Sequence, residues 1–417
     1  MRVLLIAVNT ERINMRVLPL GLAEVAAAAR RAGHETRLLD LGPGDDPEAT
    51  IARAWAAAPP DVVGLSVRNI DNVDMRRARF LLPLAAAAVA ACRAAGAAPI
   101  VVGGAGYSIF PRAALERLGA DYGVRGEGET AFPALLETIA RGGDAAAIPS
   151  VLVRGGGGGS APARSVDLDR FPAADFAAWS DAAADPELLV PVQTRRGCAM
   201  DCAYCSTALI EGRALRFRAV ESVVRDLRAV ADAGFRRVFF VDNVFNEPEG
   251  YALELCRAIA ALGAPLEFRA IVYPRRLSPE LARAMAAAGC VETSLGFESG
   301  DPGVLRALGK RFSPDDVRAV SDALAERGVR RRGFLLIGGP GETMDTVARS
   351  LAFAASLKLD GLKTTVGIRI YPGTPLAAAA LREGVVAPDD DLLEPRFYLS
   401  PALRDHLDEL PPPDPLP

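Results

Sequence analysis

The stretch Gly197-Cys198-Ala-Met-Asp-Cys202-Ala-Tyr-Cys205 carries three cysteines at the spacing C-x3-C-x2-C. The apolar run 188–194 precedes it and is typical of a β-strand, so the cysteines follow the carboxyl end of a strand. Thiolates bind soft metals, and iron–sulfur clusters are the commonest group held by several cysteines. A complete cluster normally takes four cysteines, so three predict a cluster with one iron left open for a substrate.

A zinc site or a structural cluster is the alternative interpretation, and each needs a fourth ligand. The sequence offers four candidates for it, namely Cys92, Cys256, Cys290 and His406. Cys256 and Cys290 lie in alanine-rich, helix-like surroundings, which is typical of small buried residues. The later motifs of the chain favour the open cluster.

The composition is that of an ordinary globular protein, with 417 residues of which 50% are hydrophobic and 24% charged. A net charge of −4 without a basic block argues against a nucleic-acid partner. The apolar stretch 80–92 is too short to span a bilayer, and the first residues lack a signal-peptide cleavage site. Six cysteines, three of them in one motif, predict a reducing cytoplasm rather than a disulfide scaffold.

Residues 1–145 alternate predicted strands and helices and form the first predicted domain. The predicted strands are Arg2–Val8, Glu35–Leu41, Asp61–Val67, Pro99–Gly103 and Asp121–Arg125. The predicted helices are Leu20–Ala32, Pro47–Ala58, Met75–Ala94, Pro111–Leu118 and Thr130–Ala140. Short, continuous, β-branched strands are typical of a sheet covered on both faces, so this α/β pattern predicts a doubly wound, Rossmann-like domain.

Ligands of such sheets bind beyond the carboxyl ends of the strands. The candidate binding residues there are Asn9, Thr10, Ser66, Arg68, Asn69, Gly103, Gly104, Ala105, Tyr107, Ser108, Glu127 and Gly128. The glycine loop at 103–106 lets a ligand approach the backbone closely, although a plain tight turn explains it equally well. It does not follow the first strand, as the dinucleotide fingerprint would, so a nicotinamide site is disfavoured.

A predicted linker, residues 146–187, leads to the second predicted domain. Its glycine run 155–159 is low in complexity and predicts flexibility. Residues 167–172 form either an ordered crossing segment or plain linker. A predicted tail, residues 377–417, closes the chain with a proline-rich stretch that we expect to be disordered.

Residues 188–376 repeat the strand–helix alternation six times. The predicted strands are Val190–Thr194, Val238–Asp242, Leu266–Val272, Glu292–Phe297, Arg332–Ile337 and Thr364–Ile370. The predicted helices are Ala219–Ala233, Glu249–Leu262, Pro279–Ala288, Pro314–Arg327 and Thr343–Leu357. Six units are fewer than the eight that close a TIM barrel, so the pattern predicts a partial, TIM-like (β/α)6 barrel.

Barrel enzymes place their chemistry at the carboxyl ends of the strands. The candidate residues at those ends are Asp242, Asn243, Glu298, Ser299, Gly339, Pro340, Gly341 and Tyr371. Each has a simpler interpretation as a helix cap, a solvated charge or a turn. Their appearance in order after the cysteines favours one binding site at the barrel mouth.

The cysteine spacing, with Tyr204 just before the last cysteine, resembles the radical S-adenosylmethionine (SAM) superfamily. A Rossmann-like domain before such a barrel resembles the cobalamin-binding radical SAM family, the class B methyltransferases and their relatives. Further matching segments are Pro19–Leu22, Gly103-Gly104, Arg125–Glu129, Gly339–Glu342, Tyr371–Thr374 and Leu393–Tyr398. The chain departs from an older cobalamin signature, since Asp-x-His-x-x-Gly does not occur.

The resemblance implies that Cys198, Cys202 and Cys205 hold a [4Fe–4S] cluster, that Tyr204 and the barrel-mouth residues contact SAM, and that the loops of the first sheet hold cobalamin. In the family that the chain resembles, one SAM methylates cobalamin and a second SAM forms a 5′-deoxyadenosyl radical. The radical abstracts hydrogen from an unactivated substrate carbon, which then takes the methyl group. The substrate is a small molecule, lipid or peptide, and the electrons come from a donor such as flavodoxin or ferredoxin.

Other outcomes with the same cofactors remain open at this stage, such as radical cyclisation, rearrangement or ring contraction. A methylthiotransferase acting on RNA or protein is disfavoured, because those enzymes carry a second cysteine cluster and the first domain has only Cys92. A non-catalytic cobalamin or redox sensor is disfavoured by the complete set of SAM-side motifs.

The two histidines of the chain bear on the lower face of the cobalt. His34 precedes the second predicted strand, at the edge of the sheet away from the ligand loops, and His406 lies in the tail. We therefore expect no histidine to coordinate the cobalt. Arg68 and Asn69 are the best candidates to face it from below, with a surface ion pair as the alternative role for Arg68.

Overall fold

A computed structural model describes residues 1–8, 18–42, 44–156, 159, 161–185 and 187–412. The strands are β1 (Arg2–Val8), β2 (Glu35–Leu41), β3 (Val62–Val67), β4 (Ile100–Gly103), β5 (Tyr122–Val124), β6 (Val151–Val153), β7 (Val190–Val192), β8 (Arg195–Arg196), β9 (Arg216–Phe217), β10 (Arg237–Phe240), β11 (Glu267–Val272), β12 (Cys290–Glu298), β13 (Arg330–Ile337), β14 (Gly361–Val366), β15 (Ile368–Arg369) and β16 (Phe397–Tyr398).

The helices surround two sheets. They are α1 (Leu20–Arg31), α2 (Pro47–Ala57), α3 (Leu82–Ala95), α4 (Ala105–Ile109), α5 (Pro111–Leu118), α6 (Gly128–Arg141), α7 (Thr207–Ile210), α8 (Val220–Asp232), α9 (Glu249–Leu262), α10 (Pro279–Ala287), α11 (Pro302–Ala307), α12 (Pro314–Ala325), α13 (Met344–Ser356) and α14 (Pro375–Arg382). Three 3₁₀ segments complete the described structure: Ala145–Ala147, Phe176–Ala184 and Pro401–Glu409.

The first sheet has the strand order β2-β1-β3-β4-β5-β6. Strands β1 to β5 are parallel and carry apolar side chains towards both faces, where separate hydrophobic clusters form. This confirms the doubly wound fold. Strand β6 pairs antiparallel with β5, so the sheet extends a few residues past residue 145.

The second sheet has the strand order β14-β13-β12-β11-β10-β7, and every neighbouring pair is parallel. Six parallel strands followed by helices confirm the partial barrel. Because all six strands run the same way, the cysteine loop after β7 meets the ends of the later strands at one mouth.

One predicted helix begins later than the sequence indicates. Residues 71–81 form a loop closed by a bridge between Asp71 and Phe80, and α3 begins only at Leu82. Asp71 accepts a hydrogen bond from the backbone of Val73, and the Asn72 side chain bonds the backbone of Arg77 and of Arg79. Short polar side chains that bond nearby backbone compete with helix formation, which explains the late start.

The crossing segment and the tail both pack onto the molecule. Leu168 is buried, and Asp169 accepts a hydrogen bond from the backbone of Ala219 at 2.6 Å, so residues 167–172 are ordered. Strand β16 pairs antiparallel with β15, and Leu403 is buried against Val347 and other residues at the barrel's end. Gly157, Gly158 and residues 413–417 lie outside the described residues. Within the described part of the chain, no helix is long and apolar enough to cross a membrane.

Candidate functional site

The cysteine loop is held by backbone contacts on both sides. Cys198 donates its backbone N–H to the carbonyl of Gly212 at 3.0 Å, and Ala203 donates to Leu308 at 2.9 Å. Gly197 has φ +94°, and a Cβ there would lie 2.1 Å from the carbonyl oxygen of Ala214. Only glycine fits this turn, which directs the chain from β8 into the loop.

The three thiols of the loop fit an iron–sulfur cluster. Cys198, Cys202 and Cys205 are free and half-buried. Burial raises the pKa of Cys198 and of Cys202, so a bound cation would be needed to hold them as thiolates. Among the described residues no three His, Cys, Asp or Glu side chains converge on a single ion. A cluster spreads its ligands over several irons, so its cysteines need not converge on one point.

The remaining cysteines are packing residues. Cys92 and Cys256 are completely buried and Cys290 is 5% exposed, each inside a hydrophobic cluster. His406 is half-exposed and contacts Glu409 at 2.8 Å. These placements remove the fourth ligand that a zinc site would require.

A hydrogen-bond chain leads from the cysteine loop into the barrel mouth. The Cys205 thiol lies 3.2 Å from the hydroxyl of Thr207, which lies 3.3 Å from the side-chain oxygen of Asn243. Asn243 donates to Glu211 at 2.7 Å, and Glu211 also accepts the backbone N–H of Gly197 at 2.9 Å. Burial raises the pKa of Glu211, although these donors oppose the shift. Asn243, Thr207 and Glu211 thus fix one wall next to the cluster cysteines.

Tyr204, Glu298 and Lys310 form a buried triad beside the loop. The Tyr204 hydroxyl donates to Glu298 at 2.8 Å, and the Lys310 ammonium reaches the same carboxylate at 3.2 Å and the Tyr204 oxygen at 2.9 Å. Burial alone would lower the pKa of Lys310, but Glu298, Tyr204 and Cys202 raise it well above its usual value. Glu298 has φ +62°, a rare conformation for a side-chain-bearing residue. The contacts with Tyr204 and Lys310 therefore fix the position of the Glu298 side chain at the end of β12.

Asp242 is structural in this arrangement. Its carboxylate accepts the backbone N–H of Thr194 at 2.8 Å and the Thr194 hydroxyl at 2.6 Å, and it pairs with Arg195 at 3.4 Å. Asp242 and Arg195 are both fully buried, and burial raises the pKa of Asp242. Of the two neighbouring candidates, Asn243 faces the open space and Asp242 supports the loop.

The other barrel-mouth candidates gather around the ends of β12 and β13. The Ser299 hydroxyl bonds that of Ser350 at 2.8 Å. Gly339, Pro340 and Gly341 form a turn whose backbone is fixed by Glu342, since the carboxylate accepts the N–H groups of Gly338 at 2.6 Å and Gly339 at 2.9 Å. Burial raises the pKa of Glu342 to about 7. The turn's position is thus set by one buried side chain.

Tyr371 follows β15 and joins the two halves of the molecule. Its ring lies 6.3 Å from that of Phe110 in the first half, and burial raises its pKa above the usual range. The fully buried Arg369 lies over both rings and pairs with Asp71 at 2.7 Å. This contact ties the β3 exit of the first sheet to the end of the barrel sheet.

One cavity of about 480 Å³ lies between the edge of the first sheet and the barrel mouth. Its wall includes seven of the residues expected at the first sheet: Ser66, Arg68, Gly103, Gly104, Ala105, Glu127 and Gly128. From the barrel side it includes Gln193, Arg196, Thr207, Glu211 and Asn243. The loops of the first sheet and the residues on either side of the cysteine loop therefore line one space.

Arg68 is the least engaged charge of the cavity wall. Among the described residues it has no hydrogen bond and no ion pair, and its side chain is open to the cavity. Burial nevertheless lowers its pKa, because apolar walls surround the open space. The guanidinium retains its proton and offers no lone pair. At this position the Arg68 guanidinium is available to contact a bound ligand, or to keep another group out of that part of the cavity.

Some expected residues lie away from the cavity wall. Tyr107 is fully buried behind the sheet, and Ser108 bonds the carbonyl of Gly104 at 2.7 Å. Asn69 is half-buried outside the wall. His34 lies 3.5 Å from the amino terminus, at the opposite edge. Asn9 and Thr10 lie outside the described residues.

The glycines of the loop after β4 allow two chain segments to touch. Gly104 has φ +101°, and a Cβ there would lie 2.6 Å from the carbonyl oxygen of Val67. A Cβ on Gly106 would lie 2.9 Å from that of Arg68. These glycines seat the segment that carries Arg68 against the floor of the cavity.

Two family models match the chain. The model of the B12 binding domain matches residues 6–136, and that of the Radical SAM superfamily matches residues 192–354. The two matches correspond to the first sheet and to the barrel, in the order that the sequence predicts. The chain is a cobalamin-binding radical SAM protein.

Curated relatives span most of this radical SAM protein. An uncharacterized methyltransferase of Pyrococcus horikoshii is 26% identical over 93% of this chain and 84% of its own length. The tryptophan 2-C-methyltransferase of Streptomyces laurentii is 27% identical over 89% of this chain and 73% of its own. The hopanoid C-3 methylase of Methylococcus capsulatus is 32% identical over 72% and 57%.

A solved structure shows the same fold over nearly the whole radical SAM protein. TsrM from Kitasatospora setae, a radical SAM methyltransferase, superposes with a TM-score of 0.86 at 23% identity, covering 98% of this chain and 87% of its own. A structure of the same enzyme holds cobalamin and a [4Fe–4S] cluster. At this identity the likeness establishes the fold, including the pairing of the two domains.

Several site residues of this radical SAM protein escape sequence reasoning. Arg196 pairs with Glu24 of α1 at 3.0 Å and contacts Glu129 of α6, and Arg216 contacts Glu127. Burial raises the pKa of Glu24 to about 7, against the opposing effect of Arg196. The position of Arg196 two residues before Cys198 is the one available signal. Its partners lie more than sixty residues away, so no local pattern marks this ionic contact between the domains.

Proposed function

We propose that this protein moves a methyl group from cobalamin to an unactivated carbon of an organic substrate. It belongs among the cobalamin-dependent radical SAM methyltransferases. When bound, the cofactors supply a methyl group and a radical that removes a hydrogen atom from the substrate. The relatives that act on tryptophan and on hopanoids are both named for methylation at carbon.

The shared cavity is the observation that carries the proposal. Thr207 and Asn243 line it and belong to the hydrogen-bond chain that begins at the Cys205 thiol. Arg68 and Gly104 line its other side, at the sheet edge where doubly wound domains bind ligands. A substrate held in this space has the cluster loop on one side and the corrin loops on the other, as transfer between two cofactors requires.

In this proposal the residues of the mouth have distinct roles. Cys198, Cys202 and Cys205 hold the cluster, and Tyr204, Asn243, Glu298 and the 339–341 turn contact SAM. Asp242, Ser299 and Tyr371 support those contacts from behind. Ser66, Gly103, Ala105, Glu127 and Gly128 surround the corrin with Arg68 and Gly104. The buried ion pairs between the domains exclude water from the radical's path.

Arg68 is proposed to face the cobalt from below and to keep its lower position empty. A guanidinium cannot coordinate the metal, and weak lower ligation makes the reduced cobalamin needed for methylation easier to reach. Electron paramagnetic resonance of the cob(II) form tests this. We expect no nitrogen hyperfine splitting from a lower ligand. A splitting that disappears in His34→Ala or His406→Ala would contradict the assignment.

Product counting tests the proposed reaction. The full chain is reconstituted anaerobically with iron, sulfide and cobalamin and supplied with SAM and candidate small molecules, lipids or peptides. Methyl transfer predicts S-adenosylhomocysteine and 5′-deoxyadenosine in step with a product heavier by one methylene. A rearrangement, cyclisation or ring contraction would give 5′-deoxyadenosine and product without S-adenosylhomocysteine, and would replace methyl transfer as the reaction.

The partners and the compartment belong to the same proposal. All six cysteines are free, which fits a reducing cytoplasm. A small electron-transfer protein such as flavodoxin or ferredoxin supplies the electrons, and no nucleic acid takes part. The substrate is a small molecule, a lipid or a peptide that reaches the cavity between the two domains.

A further inference from the structure

A short ribbon of two strands closes the cysteine loop at its base. Strands β8 and β9 pair antiparallel, with Arg195 opposite Phe217 and Arg196 opposite Arg216. The chain between these strands, residues 197–215, carries all three cysteines of the loop. The pairing of the ribbon therefore holds the two ends of the loop together.

The ribbon places two like charges face to face. Arg196 and Arg216 are directly opposite each other, so their side chains lie on one face of the ribbon. Only 11% and 7% of these side chains are exposed, so water screens the two charges little. Like charges at directly opposite positions destabilise a pair of strands. The ribbon therefore needs anions on this face in order to stay paired.

The anions come from the first domain. Glu127 contacts the Arg216 guanidinium and lies 3.9 Å from that of Arg196. Arg196 also pairs with Glu24 at 3.0 Å and contacts Glu129. Three carboxylates of the first domain thus meet two arginines of the ribbon, and Glu127 approaches both.

These carboxylates belong to the wall of the shared cavity. Glu127 and Glu129 lie on either side of Gly128, where α6 begins, and all three residues line the cavity. A Cβ on Gly128 would lie 2.7 Å from the side chain of Val25, which follows Glu24 in α1. The start of α6 is therefore packed closely against α1. One packed unit at the edge of the first sheet holds the carboxylates that contact the cysteine loop.

We propose that Glu127, supported by Glu24 and Glu129, is a positioning residue for the iron–sulfur cluster. Its carboxylate neutralises the two arginines that face each other across the base of the cysteine loop. The loop is then closed only while the cobalamin domain is docked on the barrel. The inference rests on the proposed function, since it takes this loop as the cluster site. It gives the contact between the domains a specific role, which is to make the geometry of the cluster depend on the presence of the corrin domain.

The alternative is that Glu127 only adds one more attraction between the domains. A double variant separates the two roles, because they predict opposite signs. If Glu127 neutralises a repulsion, removing the charge of Arg216 as well relieves the defect of Glu127→Gln. If Glu127 only attracts the domains to each other, Glu127→Gln/Arg216→Gln is no better than the single variant.

Two measurements follow the closure of the loop in the full-length protein. Hydrogen exchange, read by mass spectrometry on peptides covering residues 195–217, reports opening of the ribbon in the cofactor-free protein. Peptides from α9 (Glu249–Leu262) report opening elsewhere in the barrel. Anaerobic release of iron to EDTA, from protein reconstituted with iron, sulfide and cobalamin, reports how well the closed loop keeps the cluster.

The variants are Glu127→Gln, Glu127→Gln/Arg216→Gln and, as a matched control, Arg117→Gln. Arg117 makes an exposed ion pair with Glu394 at 3.7 Å, which also joins the first domain to a later part of the chain but lies away from the ribbon. The control therefore shows what the loss of an ordinary ion pair of this kind does to the loop.

Glu127→Gln should speed both ribbon exchange and iron release about tenfold, and the double variant should return both to within about threefold of the unmodified protein. Arg117→Gln should leave both unchanged, and exchange in α9 should be equal in all four proteins. Unchanged rates in Glu127→Gln, a double variant as fast as the single one, or an equal rise in α9 or in Arg117→Gln would overturn the proposal. Hydrogen exchange needs no cofactor, so a protein that assembled no cluster would contradict the proposed function and leave the test of the ribbon intact.

Discussion

The barrel mouth and the edge of the first sheet, the two proposed binding regions, differ in how their charged side chains are paired. At the barrel mouth the charges are already engaged: Glu298 with Lys310 and Tyr204, and Asp242 with Arg195. At the sheet edge the wall combines aliphatic side chains with glycines such as Gly103, Gly104 and Gly128, and Arg68 has no partner among the described residues. The first region is organised before its ligand arrives, whereas the second leaves a charge for the ligand to cover.

This difference follows from what each region must hold. A cluster and SAM require fixed ligands and a fixed orientation, and buried ion pairs provide rigidity at some cost in stability. A corrin is a large flat group, which needs space and close backbone approach. In the proposed site, small residues leave that space and allow close backbone approach, and Arg68 is the cation that would face the corrin.

The largest expected effect is at the cluster loop itself. Alanine at Cys198, Cys202 or Cys205 should abolish the iron–sulfur chromophore and 5′-deoxyadenosine formation, because the loop offers no spare thiolate. Cys256→Ala and Cys290→Ala should leave both intact, since these side chains pack in the core. Visible absorbance and iron analysis measure the outcome. A requirement for Cys256 or Cys290 in iron binding would contradict the three-cysteine site.

The next prediction contrasts a paired with an unpaired cation. Lys310→Met leaves the Glu298 carboxylate buried without its partner, and should cost about 3–5 kcal/mol of the free energy of unfolding. Arg68→Met removes a charge that has no partner among the described residues, and should cost less than about 1 kcal/mol of the free energy of unfolding. Denaturant unfolding of the cofactor-free proteins measures both. Similar costs at the two positions would remove the contrast between the two regions.

The glycine loop after β4 predicts a smaller loss of the free energy of unfolding. Gly104→Ala places a Cβ 2.6 Å from Val67 at a positive φ, and should cost about 1–3 kcal/mol and weaken cobalamin binding. Gly250→Ala is the matched control, because it lies within α9 with open space around it and should gain up to about 1 kcal/mol. Unchanged cobalamin affinity in Gly104→Ala would show that the loop's close packing is unimportant for the corrin.

The smallest expected effect, counted per pH unit, is a slope of stability with pH at the turn of the barrel mouth. Glu342 has its pKa raised by burial from 4.5 to about 7, so its contribution to stability is complete below pH 4.5 and is lost as pH rises towards 7. Glu342→Gln should remove that loss, which is at most about 1.4 kcal/mol per pH unit. Unfolding midpoints of both proteins between pH 4.5 and 7 give the difference. A difference that stays constant across this range would contradict the raised pKa.

Sequence reasoning succeeded where local pattern decides structure. Strands β1 and β2 and helices α5 and α9 match their predicted bounds, because apolar periodicity and flanking glycine or proline mark them. The predicted helix at 75–94 failed at its start, since Asp71 and Asn72 bond the backbone of a loop. The helix α4 was missed because five residues carry too little periodicity to see.

The sequence by itself determined the two sheets, their order along the chain and the cysteine loop, since each depends on residues that are neighbours in the chain. Only the tertiary structure decided which candidates face the cavity. It placed Asn243 at the wall and Asp242 behind it, although they are adjacent in sequence. It also brought Lys310 to Tyr204, and Arg196 to Glu24 and Glu129, across more than sixty residues in each case. The interaction between two charged side chains depends on their distance in the folded protein, and that distance cannot be read from their separation in the sequence.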